Sequence, residues 1–250
     1  MLAESCQNRA MTTTRERLRA QTLEEIKAAA KARLAVDGAN LSLRAVARDV
    51  GLVSSAVYRY FPSRDALLTA LIIDSYNEMG AAVEAAEAAQ PRDDLHARFM
   101  AVAHGIRDWA LSAPSEYALI YGSPVPGYEA PQDTIAPAAR VITVLAGLLT
   151  DGLRDGTLHD PGDAISKPLA KDLAEFTSQP PFVGVPPALM ARGVAAWSGV
   201  HGLVSFELFG AYGPLGDPRA LFEHQVLAIA RTLGLEPAPG QTRRPRKRST

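Results

Sequence analysis

Apolar residues recur at helical spacing along nearly the whole chain, and no stretch alternates in the way a half-buried strand does. The first strong signal opens at Thr22, where Thr22 and Glu25 have capping-box spacing. Ile26, Ala30 and Leu34 then share one face, and Gly38 ends the run. Ser42 is placed to cap a second helix, Leu41 and Val46 have the spacing of a hydrophobic staple, and Leu43, Val46, Ala47 and Val50 form one stripe. Gly51 breaks this helix. A third is expected from about Ser54 to Phe61, with Val57 and Phe61 on one face, before Pro62 stops it. Ser63 can cap a fourth helix through Leu67, Leu68, Leu71, Ile72 and Met79 to about Ala88, long enough to link two domains.

Further helices are expected at 95–112, 115–122, 133–154, 163–177, 187–210 and 218–234, punctuated by Pro and Gly. Pro168 sits awkwardly inside the 163–177 segment. The pattern therefore predicts an all-α chain of about nine to ten helices without internal repeats. Residues 1–21 read as a flexible basic leader, and 237–250 as a disordered, Pro/Arg-rich tail.

Charge adds an asymmetry that the net value of −1 conceals. Residues 1–65 carry 11 Lys/Arg against 7 Asp/Glu, residues 66–242 carry 10 against 20, and residues 243–250 carry 5 against none. A basic head on an acidic body suggests that one end meets a polyanion. Cys6 is the only cysteine, which excludes an intramolecular disulfide and fits a reducing compartment. No uninterrupted apolar run approaches the roughly 20 residues of a membrane span, and no secretory signal is evident, so a cytoplasmic location is expected.

Two short helices joined by a glycine turn make a helix-turn-helix, whose second helix can enter the DNA major groove. The composition suits that geometry. Ser54, Ser55 and Ala56 are small enough for close approach to base edges, Tyr58 and Tyr60 can reach phosphate oxygens, and Arg59 and Arg64 add positive charge. Arg44, on the first turn of the preceding helix, can fork onto a guanine. Spacing alone leaves the plainer alternative open, since short helix pairs are common and a helix-end tyrosine often packs half-buried.

The stretch from Gly51 through Tyr58-Arg-Tyr-Phe-Pro-Ser63 to Leu68, with Leu41-Ser-Leu-Arg-Ala-Val-Ala47 before it, closely resembles the signature of the TetR family of transcriptional regulators. The resemblance covers about residues 22–70. It implies a three-helix DNA-binding domain at 22–68 and a larger helical ligand-binding and dimerisation domain at 69–236. It further implies that Ser42, Tyr58, Tyr60 and Arg64 contact phosphates, while Arg44, Ser54, Ser55 and Ala56 face base edges. Two positions depart from the family pattern. Val53 stands where a capping Ser is usual, which suggests a cap shifted to Ser54, and Arg64 replaces the usual Lys.

In the C-terminal half, Trp197-Ser-Gly-Val-His201-Gly resembles a Trp…His-Gly pattern in the ligand-binding domains of one TetR subgroup. Trp197, His201 and Ser205 share a helix face, and Ser198, Gly199 and Gly202 form a small patch open to close helix approach. Candidate pocket walls are Trp197 and His201, with His104, Trp109, Tyr117 and Tyr121; each also reads as ordinary core. The resemblance places a homodimer interface at 187–210 and 218–234, where Phe222, Val226, Ile229 and Leu233 form a stripe. Leu189, Val194, Leu203 and Phe206 can join it to supply a core face and an interface face.

The expected function is a repressor released from a palindromic DNA operator by a small molecule, hydrophobic or weakly cationic. An activator or a ligand-independent regulator of the same fold is the alternative. An enzyme is the remote one, because no catalytic motif, metal-ligand spacing or cofactor loop is present. The basic residues Arg243, Arg244, Arg246, Lys247 and Arg248 are candidates for non-specific DNA contact or for plain solubility.

Overall fold

A computed structural model describes residues 2–38 and 40–237, with side chains from Thr14 onward. Among the described residues there are ten α-helices and no strand. They group into two compact units: residues 1–76 with 113–137, and residues 77–112 with 138–250. The tail beyond Pro237 lies outside the described residues.

In the N-terminal unit, α1 (Leu2–Asp37) is longer than its sequence signals suggest. No Gly or Pro interrupts residues 2–37, so nothing forces a start at Thr22. The Thr22 hydroxyl donates instead to the Leu18 carbonyl at 3.0 Å, a mid-helix bond, and the expected capping box does not form. The segment expected as a leader is thus helical from Leu2.

Gly38, at φ +55°, ends α1, and α2 (Leu43–Asp49) follows. Ser42 occupies the N-cap position of α2, but its side chain makes no cap bond. The end of α2 is a Schellman motif: the Leu52 amide donates to the Ala47 carbonyl (2.9 Å) and the Gly51 amide to that of Arg48 (3.2 Å). This closure needs Gly51 at φ +69°. Arg33 fastens α1 to α2, donating to Asp49 Oδ1 at 2.9 Å and to Asp37 at 2.9 Å.

The third helix is shorter than expected. α3 spans only Ser54–Val57, with Val53 rather than Ser54 at its N-cap position and no side-chain cap. The chain then tightens, because the Arg59 and Tyr60 amides donate three residues back, to the Ala56 and Val57 carbonyls. The Phe61 amide returns to a four-residue bond with the Val57 carbonyl (3.0 Å), and Pro62 then ends the segment.

α4 (Arg64–Ala88) begins as its sequence signals, with the Ala66 amide donating to Ser63 Oγ at 3.0 Å. Its first three turns complete a core of Ile26, Ala30, Val46, Val57, Phe61 and Leu71, all at most 5% exposed. Lys27 ties α1 to α4 through Asp74 at 2.9 Å.

An excursion from the other half of the sequence joins this unit. α6 (Pro114–Tyr121) and the following loop bring Leu119, Val125 and Tyr128 against the N-terminal core. The Tyr128 hydroxyl lies 2.9 Å from that of Thr69. Tyr76, Tyr117 and Tyr121 stack nearby, with centroids 5.2–6.1 Å apart.

The C-terminal unit is built from the rest of α4 and from α5 (Leu95–Ser112), α7 (Ile135–Asp155), α8 (Lys167–Phe176), α9 (Pro187–Leu208) and α10 (Pro218–Leu233). The 163–177 expectation contracts to α8 because Pro168 sits in its first turn, where a missing N–H costs nothing. α9 and α10 pack closely at Gly199, where an added Cβ would lie 3.0 Å from Ile229 Cδ1.

Two arginines are buried as ion pairs in this unit. Arg98, 1% exposed, meets Glu87 at 2.5 Å and Asp151 at 3.0 Å. Arg107 of α5 grips Glu207 of α9 in a two-pronged bond (Nε to Oε2, 2.8 Å), its guanidinium 5.5 Å from the Phe222 ring centroid.

Contrary to the expectation from uninterrupted apolar runs, one helical stretch, Gln132–Asp155, is long and apolar enough by composition to span a membrane. Its inner face lines a cavity in the C-terminal unit, and Arg140 within it bonds both oxygens of Glu84 (2.6 and 2.8 Å).

Candidate functional site

The turn between α2 and α3 presents polar chemistry to solvent. Ser42, Arg44, Ser55 and Arg59 are exposed, and Tyr58 is 45% exposed. Ser54, Ala56, Tyr60 and Arg64 are half-buried at the edges of this surface. Buried Val57 anchors the element from below, so its polar residues face outward. Because Val53 holds the N-cap position, the Ser54 hydroxyl is not used as a cap, contrary to the shift that the sequence suggested. Ser42 likewise has no cap bond to its own helix.

Charge around this surface divides into two roles. Lys27 and Arg33 are engaged in ion pairs that hold the helices together. Arg44 and Arg59 form no ion pair among the described residues, and Arg64 lies 3.4 Å from Asp65. A further cation belongs here that spacing did not reveal. Arg19 of α1 stacks over Tyr60, its guanidinium 5.9 Å from the ring centroid. The start expected at Thr22 hid it; a helix running through Thr22 carries Arg19 to the edge of the same surface.

The C-terminal unit contains a cavity of about 180 Å³. Its walls come from α5, α7, α8, α9, α10 and the loop bearing Phe182. Of the six residues proposed as pocket walls, only Trp197 lines it. His201 lies one turn further along α9, 8% exposed, its ring centroid 4.1 Å from that of Trp197. His104 packs edge-on against Phe222, and Trp109 is core. Tyr117 and Tyr121 belong to the N-terminal unit, where burial pushes the Tyr121 hydroxyl well above the usual tyrosine range. The true wall residues, such as Phe99, Ile106 and Met190, read in sequence as ordinary core positions, because periodicity cannot separate a packed stripe from one that borders a void.

Burial pushes the His201 imidazole down to about 4, so the ring is neutral near pH 7. An unfolded histidine titrates near 6.5, so between the two values the unfolded chain binds more protons and stability falls as pH falls. Stability should therefore be full above about pH 6.5 and drop by roughly 3 kcal/mol towards pH 4. His201→Gln should flatten most of that slope in urea melts at pH 7 and pH 4.5; His104, also lowered by burial, leaves a residue of the same sign. An unchanged slope in the variant would assign the pH dependence elsewhere.

Small outward-facing residues of α9 complete the picture. Phe206 is 54% exposed and Leu189 is buried, whereas Val194, 47% exposed, borders the cavity. Gly202 has open space where a side chain would be. Among the described residues no group of three or more His, Cys, Asp or Glu side chains could hold a metal ion.

An outward-facing turn and short helix on a tightly tied three-helix head has the geometry of a helix-turn-helix. Residues 26–71 match the family described as bacterial regulatory proteins, tetR family, and residues 99–229 match the tetracyclin repressor-like C-terminal domain. The chain belongs to the TetR family of transcriptional regulators. It is 38% identical over 198 residues to the HTH-type transcriptional regulator Rv1816 of Mycobacterium tuberculosis, covering 78% of this chain and 84% of that one. Its fold is similar to the crystal structure described as regulatory protein SCO4313 (TM-score 0.69, 34% identity, 86% of this chain and 97% of the other). It is also similar in fold to PfmR, a TetR family regulator from Thermus thermophilus (TM-score 0.54, 19% identity, 82% and 97% of the two chains).

Proposed function

We propose that this regulator is a cytoplasmic repressor, a homodimer that leaves a palindromic operator when a small hydrophobic molecule enters the C-terminal cavity. The observation that carries the reading is the pairing of an exposed reading surface in one unit with an apolar cavity in the other.

On the DNA side, Arg44, Ser54, Ser55 and Ala56 face base edges. Ser42, Tyr58, Arg59, Tyr60 and Arg64 hold phosphates, and Arg19 adds a cation at the rim. One short element reads few base pairs, so a two-fold dimer reading two half-sites is the natural arrangement. The outer faces of α9 and α10 supply the dimer contact, with Phe206 and the open ground at Gly202 as its apolar part.

The ligand's route of action follows the chain. α5 and α7 both line the cavity, and the α6 excursion that packs on the N-terminal core lies between them in sequence. α4 also continues from one unit into the other. A ligand that favours one arrangement of α5 and α7 therefore biases the elements bearing the reading head.

Footprinting with purified protein on the intergenic DNA beside its gene tests the DNA side. Tyr58→Phe should weaken binding to every sequence several-fold, and Arg19→Ala should lower the slope of log affinity against log salt by about one per bound protomer. Wild-type affinity and slope in both variants would sink the docking geometry. A reporter measured with and without the protein separates repression from activation, the second reading that the same fold permits.

A further inference from the structure

The cavity has a chemical character that narrows its ligand further than hydrophobicity in general. Its wall carries aliphatic and aromatic side chains, one methionine and one glycine, and no carboxylate, amine, guanidinium, amide or hydroxyl. A charged guest would lose its hydration there without a compensating partner, at a cost of several kcal/mol, and an isolated amide or hydroxyl would lose roughly 1–3 kcal/mol. This argues directly against the weakly cationic molecule that the acidic body suggested, because none of the acidic side chains reaches the wall.

Size is equally restrictive. An engineered cavity of about 150 Å³ lined by Leu, Ile and Phe takes up benzene. The present cavity, at about 180 Å³, has room for one ring and a short alkyl substituent. Four aromatic residues border it, Phe99 of α5 among them. Trp197 stands on α9, and Phe176 and Phe182 pair across the bend after α8 with centroids 5.4 Å apart. Phe176 is 55% exposed although it borders the void, which marks the end of α8 as the entrance.

We propose that the cavity binds an uncharged, hydrocarbon-like molecule, a single aromatic ring with a short alkyl chain of roughly 7–10 carbons in all, and rejects its ionised counterparts. The inference deepens the ligand-release reading above and rests on it for its regulatory consequence, but not for binding itself.

The probes are ethylbenzene, phenylacetate and phenethylammonium, near-isosteric but neutral, anionic and cationic. Trp109→Phe leaves Trp197 as the sole tryptophan, whose emission is excited selectively over that of the tyrosines. Ethylbenzene should change its emission saturably and raise the melting temperature, and the two ions should bind at least about 100-fold more weakly.

Gly193→Leu should abolish the response by filling the void. Its new Cβ would meet only Leu149 Cδ1, at an ordinary 3.5 Å. Ala103→Leu fills the same space from α5 should the first variant fail to fold. Ions that bind as well as ethylbenzene, no saturable signal, or undiminished binding in a folded filled variant would each overturn the proposal. Ethylbenzene that binds yet leaves the operator complex intact upholds the ligand class and removes the release reading. An ion that releases the operator while ethylbenzene fails to bind does the opposite.

Discussion

Glu207→Ala should destabilise the C-terminal unit by about 3–5 kcal/mol, the usual cost of leaving one member of a buried ion pair without its partner. Arg107 and Glu207 are 7% and 10% exposed, and without Glu207 the guanidinium keeps only the longer contact to the exposed Asp108 at 3.4 Å, which places the loss toward the lower end of that range. The contact joins α5 to α9, and the guanidinium lies over Phe222 of α10, so three helices lose a common fastening. Glu207→Gln should cost less, because an amide oxygen can still accept one of the two bonds. The double replacement Arg107→Met with Glu207→Leu should recover much of the loss, since a buried pair replaced by apolar groups is often close to neutral. Both tryptophans lie in this unit, so their emission in urea melts reports on it alone. A loss below about 1 kcal/mol in the alanine variant would show that the pair is solvated in solution.

The second large effect concerns the operator. A bidentate arginine–guanine contact discriminates by about 1–3 kcal/mol, and a dimer makes it twice, so Arg44→Ala should weaken operator binding by roughly 2–6 kcal/mol, or about 30-fold to 10⁴-fold. Arg44 is exposed on the first turn of α2 and forms no ion pair among the described residues, so its removal should leave the melting curve intact. On unrelated DNA the same variant should lose only what one phosphate-range charge contributes. The measurement is a pair of titrations, operator and scrambled sequence, at the same salt. Equal losses on both would make Arg44 a phosphate contact and move base reading to Ser54, Ser55 and Ala56.

Much of this architecture was legible in the sequence, for reasons that can be stated residue by residue. The stripe Leu43, Val46 and Ala47, the break at Gly51 and the cap at Ser63 are local signals, and local backbone chemistry enforces each of them. The start of α1 was not legible, because Thr22 and Glu25 fit a cap pattern that an uninterrupted run of helix-forming residues also tolerates. The short α3 was hidden too: the stop at Pro62 was legible, but nothing in the sequence marked the three-residue bonding of Arg59 and Tyr60 that ends the α-helix at Val57. The cavity was the least legible feature. Trp197 drew attention as an aromatic in a suggestive motif, yet the wall is set by where α5, α7 and α9 fail to meet, which is a property of three-dimensional spacing.

The excursion that carries Leu119, Val125 and Tyr128 onto the N-terminal core has a practical corollary. A fragment ending with a stop codon just after residue 76 would expose the hydrophobic ground those side chains cover and would lack the Thr69–Tyr128 hydroxyl pair. The reading head is therefore not a module that can be cut out as one continuous piece of gene. Grafting it onto another body requires the 113–137 stretch to travel with it.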